Sequence, residues 1–254
     1  MLKLRPLVRN LLVSTLGEDV RPRRILLGLA SGSRLHVSPA RNLSYIAGTA
    51  DRYLQRAIKR YVSRGDNVYD IGANIGYVSL MLAKQVGPEG RVFAFEPIPE
   101  TFEMLRKNVV LNEIANVTLL NVAAATSSGM TVMRVTENPS VSSLVWHRDD
   151  ARAVEVRIKT VAIDELIERG ELPPPKFVKI DVEGAEGLVL AGMAHTIART
   201  RPVMFLECSD IGRQTSWSLL RDLQYRCQSI TTCEWVDSFD QYRHSDFLWL
   251  PQRR

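Results

Sequence analysis

Between residues 67 and 208 the apolar positions follow two habits: short unbroken runs, and longer stretches where they return at helical spacing. The runs are "NVYDIG" (67–72), "RVFAFEP" (91–97), "NVTLLNVA" (116–123), "KFVKIDVEG" (176–184) and "PVMFLEC" (202–208), and they predict buried strands. Helices are predicted for "GYVSLMLAKQVG" (76–87), closed by Gly87-Pro88, for "PETFEMLRKNVVLNE" (99–113), opened by proline and acids, and for "AEGLVLAGMAHTIART" (185–200). Unbroken apolar runs are what a strand covered on both faces requires. The alternation therefore predicts right-handed crossovers and a mostly parallel sheet between two helical layers.

Elsewhere the period changes. "GMTVMRV" and "AVEVRIKTV", within 128–160, alternate in twos and predict an inserted β pair around the polar loop 136–150. A short helix is predicted over 163–169, then a helix near 215–223 and strands near 225–230 and 246–250. Residues 51–64 place Tyr53, Leu54, Ala57, Ile58, Tyr61 and Val62 on one helical face, which Gly65 ends. Residues 3–16 set Leu4, Val8, Leu11, Leu12 and Leu16 at helical spacing, with Arg5 and Arg9 elsewhere on the wheel. Such a stripe packs on its own domain or rests on an anionic membrane surface. The chain thus divides into a basic helical arm, 1–48, and an α/β domain, 49–254.

Composition narrows the classes. With 45% hydrophobic and 24% charged residues over 254 positions, a sizeable core is expected and disorder is not. The three cysteines, Cys208, Cys227 and Cys233, have no metal or redox spacing and read as reduced thiols of a cytoplasmic protein. No apolar run approaches the ~18 residues of a membrane span, and Lys3, Arg5 and Arg9 interrupt any signal-peptide core. Charge is uneven: residues 1–66 hold 13 Lys+Arg against 4 Asp+Glu, the remainder 20 against 24. "RPRR" (21–24) is too short to argue nucleic-acid binding, and no basic-aromatic interleaving supports it. No nucleic-acid partner is expected, contact with a membrane surface through the arm stays open, and the oligomeric state is not legible.

Candidate chemistry emerges from what each parallel strand delivers at its carboxyl end, where ligands of doubly wound sheets bind. The first delivers Asp70, Gly72, Asn74 and Gly76; the second Glu96-Pro97; the third Asn121; the fourth Asp181 and Glu183; the fifth Glu207. This edge is acidic in a protein that is basic overall. A dinucleotide fingerprint would place glycines at offsets 0, 2 and 5, whereas here they fall at 0 and 4 behind a carboxylate that repels phosphate. A positively charged nucleoside suits the edge better. S-adenosylmethionine has an ammonium, a sulfonium and a ribose diol, and Glu96 closes the second strand, where a ribose binder belongs.

"VYDIGANIGYVSL", "VFAFEPIPETFEMLRKNVVLN", "NVTLLNVAAATSSG" and "FVKIDVEGAEGLVLAGM" followed by "RPVMFLE" together resemble the FkbM-type S-adenosylmethionine-dependent methyltransferases, from about residue 50 to 208. The resemblance implies a Rossmann-like class I methyltransferase fold of about seven strands, mostly parallel with the last antiparallel, behind the N-terminal arm. It implies that Gly72, Asn74 and Gly76 shape the turn over the methionine part and that Asp70 holds its ammonium directly or through water. It further implies that Glu96 takes the ribose hydroxyls, that Pro97 or Ile98 flanks the adenine, and that Asn121 faces the adenine amine. The family's usual activity is O-methylation of a small molecule, sugar or lipid-like acceptor. Asp181 and Glu207 are then the candidate bases, or groups that orient the acceptor or bind a divalent metal that acidifies it, with Glu183 beside them.

Plainer readings stand beside these. Glu183 and Glu186 open a helix, where acids are favourable without catalytic duty. Glu207 is also an ordinary strand-end acid. His147, Ser140, Ser142 and Ser143 read as loop polar residues, and neither His195 nor His244 has a metal-ligand spacing. Two rival functions remain: methylation of nitrogen, protein or RNA, and a binding module that retained S-adenosylmethionine without turnover.

Overall fold

The computed structural model describes residues 19–135, 154–208, 210–238 and 245–252. The segment 3–16, the loop 136–150 with His147 and its serines, and His244 lie outside the described residues. At the start of the described chain stands a hairpin, β1 (Arg21–Arg24) paired antiparallel with β2 (Arg34–Val37). Two helices follow, α1 (Pro39–Ala47) and α2 (Arg52–Tyr61). The described part of the arm, 19–48, therefore holds a hairpin that was not expected from the sequence and one helix, Pro39–Ala47. The reason lies in a period of two: Leu35 and Val37 are buried while Arg34 is exposed, and with Ile25 they join the main core.

The sheet is built from β3 (Asn67–Ile71), β4 (Arg91–Phe95), β5 (Val117–Leu120), β9 (Phe177–Asp181), β10 (Val203–Glu207), β11 (Tyr225–Gln228), β12 (Trp235–Val236) and β13 (Asp246–Pro251). Among the described residues its order is β12-β11-β13-β10-β9-β3-β4-β5. The five strands from β5 to β10 are parallel, and β13 runs against β10. The two-residue β12 is the strand beyond the expected seven. β3 is followed by β4 and β5 on one side and later by β9 and β10 on the other, so the strand order reverses between β3 and β9. A crevice is expected at that switch. β3, β4 and β9 are buried along nearly their whole length, as the unbroken apolar runs require.

Helices α3 (Tyr77–Val86), α4 (Pro99–Leu111), α5 (Ile163–Glu168), α6 (Glu186–Ala191), α7 (Ala194–Thr200) and α8 (Asp210–Asp222) cover the sheet. The helix expected over 185–200 is two, broken at Gly192-Met193. A smaller sheet combines β6 (Ala123–Ala124) with the pair β7 (Gly129–Val135) and β8 (Val154–Val161), which pair antiparallel as the alternation predicts. Its inner face, with Met133 and Ile158, packs on Ile98 beside the end of β4.

Candidate active site

At the switch point β3 passes into a turn that returns at Gly76 to open α3. Gly72 has φ +75° and Asn74 φ +50°, both in the left-handed region. A Cβ on Gly72 would stand 1.8 Å from the Asp181 carbonyl oxygen, so this glycine lets β3 and β9 touch. A Cβ on Gly76 would meet Leu105 Cδ1 at 2.6 Å. At Gly72 the close approach is thus protein against protein, whereas Gly76 is favoured by its φ of +94°. The turn itself hangs from β4: the amides of Gly72 and Ala73 both donate to the Phe95 carbonyl, at 3.0 and 2.9 Å.

The unusual backbone of Asn74 has a purpose. It aims the Asn74 N–H at Glu96 Oε2 (3.0 Å), while the Ile98 N–H donates to Oε1 (3.0 Å). Glu96 is 5% exposed, and burial pushes its carboxyl up to about 7 even though both amides pull the other way. Asn121 donates to the carbonyls of Glu96 (2.8 Å) and Pro97 (3.1 Å). It braces the turn from behind and does not line the cavity, contrary to the expectation that it faces an adenine.

The largest correction concerns Asp70. It is fully buried, its Oδ2 accepts from Ser79 Oγ at 2.6 Å, and its Oδ1 lies 3.2 Å from Lys179 Nζ. Asp70 does not reach the cavity; Lys179 stands between. Lys179 also donates to the Gly72 carbonyl (2.6 Å) and lies 3.5 Å from Asp181 Oδ2. Burial pulls the Lys179 pKa down, but Asp70 and Asp181 outweigh it and hold the ammonium above its ordinary value.

These elements enclose a cavity of about 250 Å³. Of the residues singled out in the sequence, the structure gathers Gly72, Asn74, Glu96, Pro97, Asp181, Glu183 and Glu207 around it, and leaves Asp70, Gly76 and Asn121 outside. One end is apolar beside Glu96, with Pro97, Ile98, Val122 and Met133. The other is acidic. Asp181 pairs in register with Glu207, and Glu207 with Asp246, so three carboxylates share one row across β9, β10 and β13. Asp51, at the start of α2, joins them. Burial raises Glu207 to about 8, with Asp181 and Asp246 adding to it and Lys179 opposing; burial and the same neighbours raise Asp51 to about 6. Glu183 is raised to about 7 by burial and by Asp181. All three carboxylates keep surface open through the cavity, so solvent screens part of this repulsion.

Two tyrosines complete the acidic end. Tyr45 of α1 stacks on Tyr77 of α3, with centroids 4.4 Å apart and planes 4° from parallel. The Tyr77 hydroxyl is buried in the cavity wall without a hydrogen-bond partner. Glu186, by contrast, is fully buried and accepts from the Gly184 N–H at 2.8 Å, which fits the plainer reading of a turn-capping acid. Among the described residues no group of three or more His, Cys, Asp or Glu side chains is arranged to hold a metal.

Tyr45, Asp51, Lys179 and Asp246 went unread in the sequence. Asp246 has a signal: an antiparallel strand brings its first residue, not its last, to the carboxyl edge of the parallel ones. Lys179 has one too, as a lysine between Val178 and Ile180 in a strand buried on both faces.

A family model described as the methyltransferase FkbM domain matches residues 70–229. The hexuronic acid methyltransferase AglP of Haloferax volcanii is 32% identical over 142 residues, 56% of either chain. The 31-O-demethyl-FK506 methyltransferase FkbM of Streptomyces tacrolimicus is 28% identical over 172 residues, which cover 56% of this chain and 64% of its own. Less than two thirds of either curated relative is therefore matched. Among solved structures, methyltransferase FkbM from Methylobacillus flagellatus overlays with a TM-score of 0.46 at 20% identity, covering 73% of this chain and 43% of that one.

Proposed function

The chain belongs to the FkbM methyltransferase family, and from that premise we propose that it transfers a methyl group from S-adenosylmethionine to a hydroxyl of a small-molecule or sugar acceptor. One observation carries the reading: the Glu96 carboxylate lines the cavity with one backbone N–H on each oxygen. Each oxygen keeps a lone pair for a diol hydroxyl. The rest of the lining suits the same ligand. An apolar wall accepts a purine, the Tyr77 hydroxyl offers an unused polar contact, and the acidic end favours a cationic tail. When bound, S-adenosylmethionine supplies an electrophilic methyl on a sulfonium, so the protein's task is mainly to position.

In this reading Glu207 takes the acceptor's hydroxyl proton. Asp181 is paired with the Lys179 ammonium at 3.5 Å, while Glu207 lies between two other acids and has a pKa of about 8, close to the working range of a base. Relatives named for a hexuronic acid and for 31-O-demethyl-FK506 support an oxygen acceptor of sugar or small-molecule type. Here the row of acids argues for a neutral or cationic acceptor over one with its own carboxylate near the reacting oxygen. The same acids favour a second reading, methyl transfer to an amine, and they speak against RNA, whose phosphates they would repel.

Titration calorimetry with S-adenosylmethionine tests the site. Glu96→Ala is expected to lose about 2–4 kcal/mol of binding, from two charged hydrogen bonds that are not additive. Unchanged binding would reject the assignment.

A further inference from the structure

Three of the nine large apolar side chains exposed among the described residues fall within one stretch of the arm: Val20, Leu26 and Leu27, at 57%, 61% and 62%. Leu26 and Leu27 form the tip of the β1–β2 hairpin, and the tip is rigid. The Leu26 N–H donates to the Ile46 carbonyl at 2.9 Å, and the Leu29 N–H to Gln55 Oε1 at 3.0 Å. Gln55 Nε2 in turn donates to the carbonyls of Gly48 and Ala50. Two exposed leucines are thus held on a loop that is hydrogen-bonded to the helices behind it.

Cations surround them. Arg24 and Arg34 stand directly opposite one another in the hairpin register, a like-charge pairing that costs stability unless an anion relieves it. Lys84 donates to the Ser31 carbonyl beside the tip. Along the outer side of the hairpin runs a groove of about 490 Å³, with Arg21, Arg23 and Arg24 along one wall and Pro39, Leu43 and Ile46 along the other. Arg21 and Arg23 are paired with Asp19. The sequence that leads into this patch, 3–16, has the same mixed character, with leucines at helical spacing and Lys3, Arg5 and Arg9.

We propose that the hairpin Arg21–Val37, with α1, docks on an anionic lipid membrane, Leu26 and Leu27 entering the headgroup region while Arg24 and Arg34 meet the lipid phosphates. A rigid apolar tip ringed by arginines matches such a surface in both chemistry and sign. Among the described residues no helix is long and apolar enough to cross a membrane, and the contact proposed is a peripheral one. The turn that Gln55 ties to the tip leads into Asp51, which lines the cavity, and α1 supplies Tyr45 to the same cavity. Docking would hold the cavity mouth near the bilayer. That the acceptor is then itself lipid-borne rests on the methyl-transfer reading; the docking does not.

Co-sedimentation of the full chain with phosphatidylcholine vesicles, with and without phosphatidylserine, at low and high salt tests this without any turnover. Partition is expected to need phosphatidylserine and to fall with salt. Arg24→Glu with Arg34→Glu should weaken it about tenfold or more, since a basic side chain near an anionic surface contributes about 1 kcal/mol. Leu26→Ser with Leu27→Ser should weaken it comparably, with unaltered thermal unfolding in both variants. Equal partition to neutral vesicles, or loss from only one of the two pairs, would overturn the proposal. So would loss confined to changes at Lys3, Arg5 and Arg9, displacement by inorganic phosphate, or RNA binding without vesicle partition.

Discussion

The two ends of the cavity are made on opposite plans. At the Glu96 end the protein satisfies its own polar groups: two amides hold the carboxylate, Asn121 holds the backbone behind it, and the turn hangs from Phe95. At the Glu207 end, carboxylates from β9, β10, β13 and α2 face one another, and Lys179, the one cation of the lining among the described residues, is shared with buried Asp70. The first end is organised before any ligand arrives. The second stores repulsion that protonation or a bound cation relieves. Shape is fixed where the nucleoside is expected, and charge is left unbalanced where the chemistry is expected.

The sharpest way to break this contrast is Lys179→Met. Losing the ammonium leaves Asp70 buried without its partner, which should cost about 3–5 kcal/mol in denaturant unfolding. Adding Asp70→Asn should recover much of that loss, and a cost below about 1 kcal/mol would mean that the acidic end does not depend on the lysine. Glu207→Gln should act on turnover without loss of folding stability. A drop in kcat of about 100-fold or more is expected from the loss of a positioned base, with S-adenosylmethionine affinity nearly unchanged.

A pH series sharpens the comparison further. Asp51, Glu96, Glu183 and Glu207 all have folded-state pKa values above their ordinary ones, so the folded chain carries more protons than the unfolded one between about pH 4 and about 8. Stability of the ligand-free protein should therefore fall as pH rises through that window. Glu96, the most enclosed of the four, contributes at most about 1.4 kcal/mol per pH unit, and screening by water shrinks the other shares. Glu96→Gln should flatten the slope of ΔG against pH, and stabilisation by S-adenosylmethionine should grow from pH 6 to pH 8. The smallest effect is assigned to Asn121→Ala: about 1 kcal/mol of stability, with only a modest loss of cofactor affinity because its bonds brace the turn from behind.

Much of this was legible beforehand, and the exceptions share a cause. Strands β3, β4, β9 and β10 were readable to within a few residues because burial on both faces leaves an unbroken apolar run. Glu96 was readable because a parallel strand presents its last residue to the ligand edge. Asp70 obeys the same rule on the page and breaks it in space, since its partner Lys179 lies on a strand more than a hundred residues later. Asp246 and Asp51 were missed because an antiparallel strand and a helix start present their first residues, not their last. The hairpin was missed because four-residue strands flanked by arginines carry too short a period to stand out.

Asn108 joins parts of the chain that the sequence keeps far apart. Wholly buried in α4, it accepts from the His36 N–H at 2.8 Å and donates to the carbonyl of Ile75 in the cradle turn, also at 2.8 Å. One amide side chain therefore rivets β2 to the loop on which Glu96 depends. Severing the chain at residue 48 would take away a wall of the building and not its porch, and the cradle would sag with it.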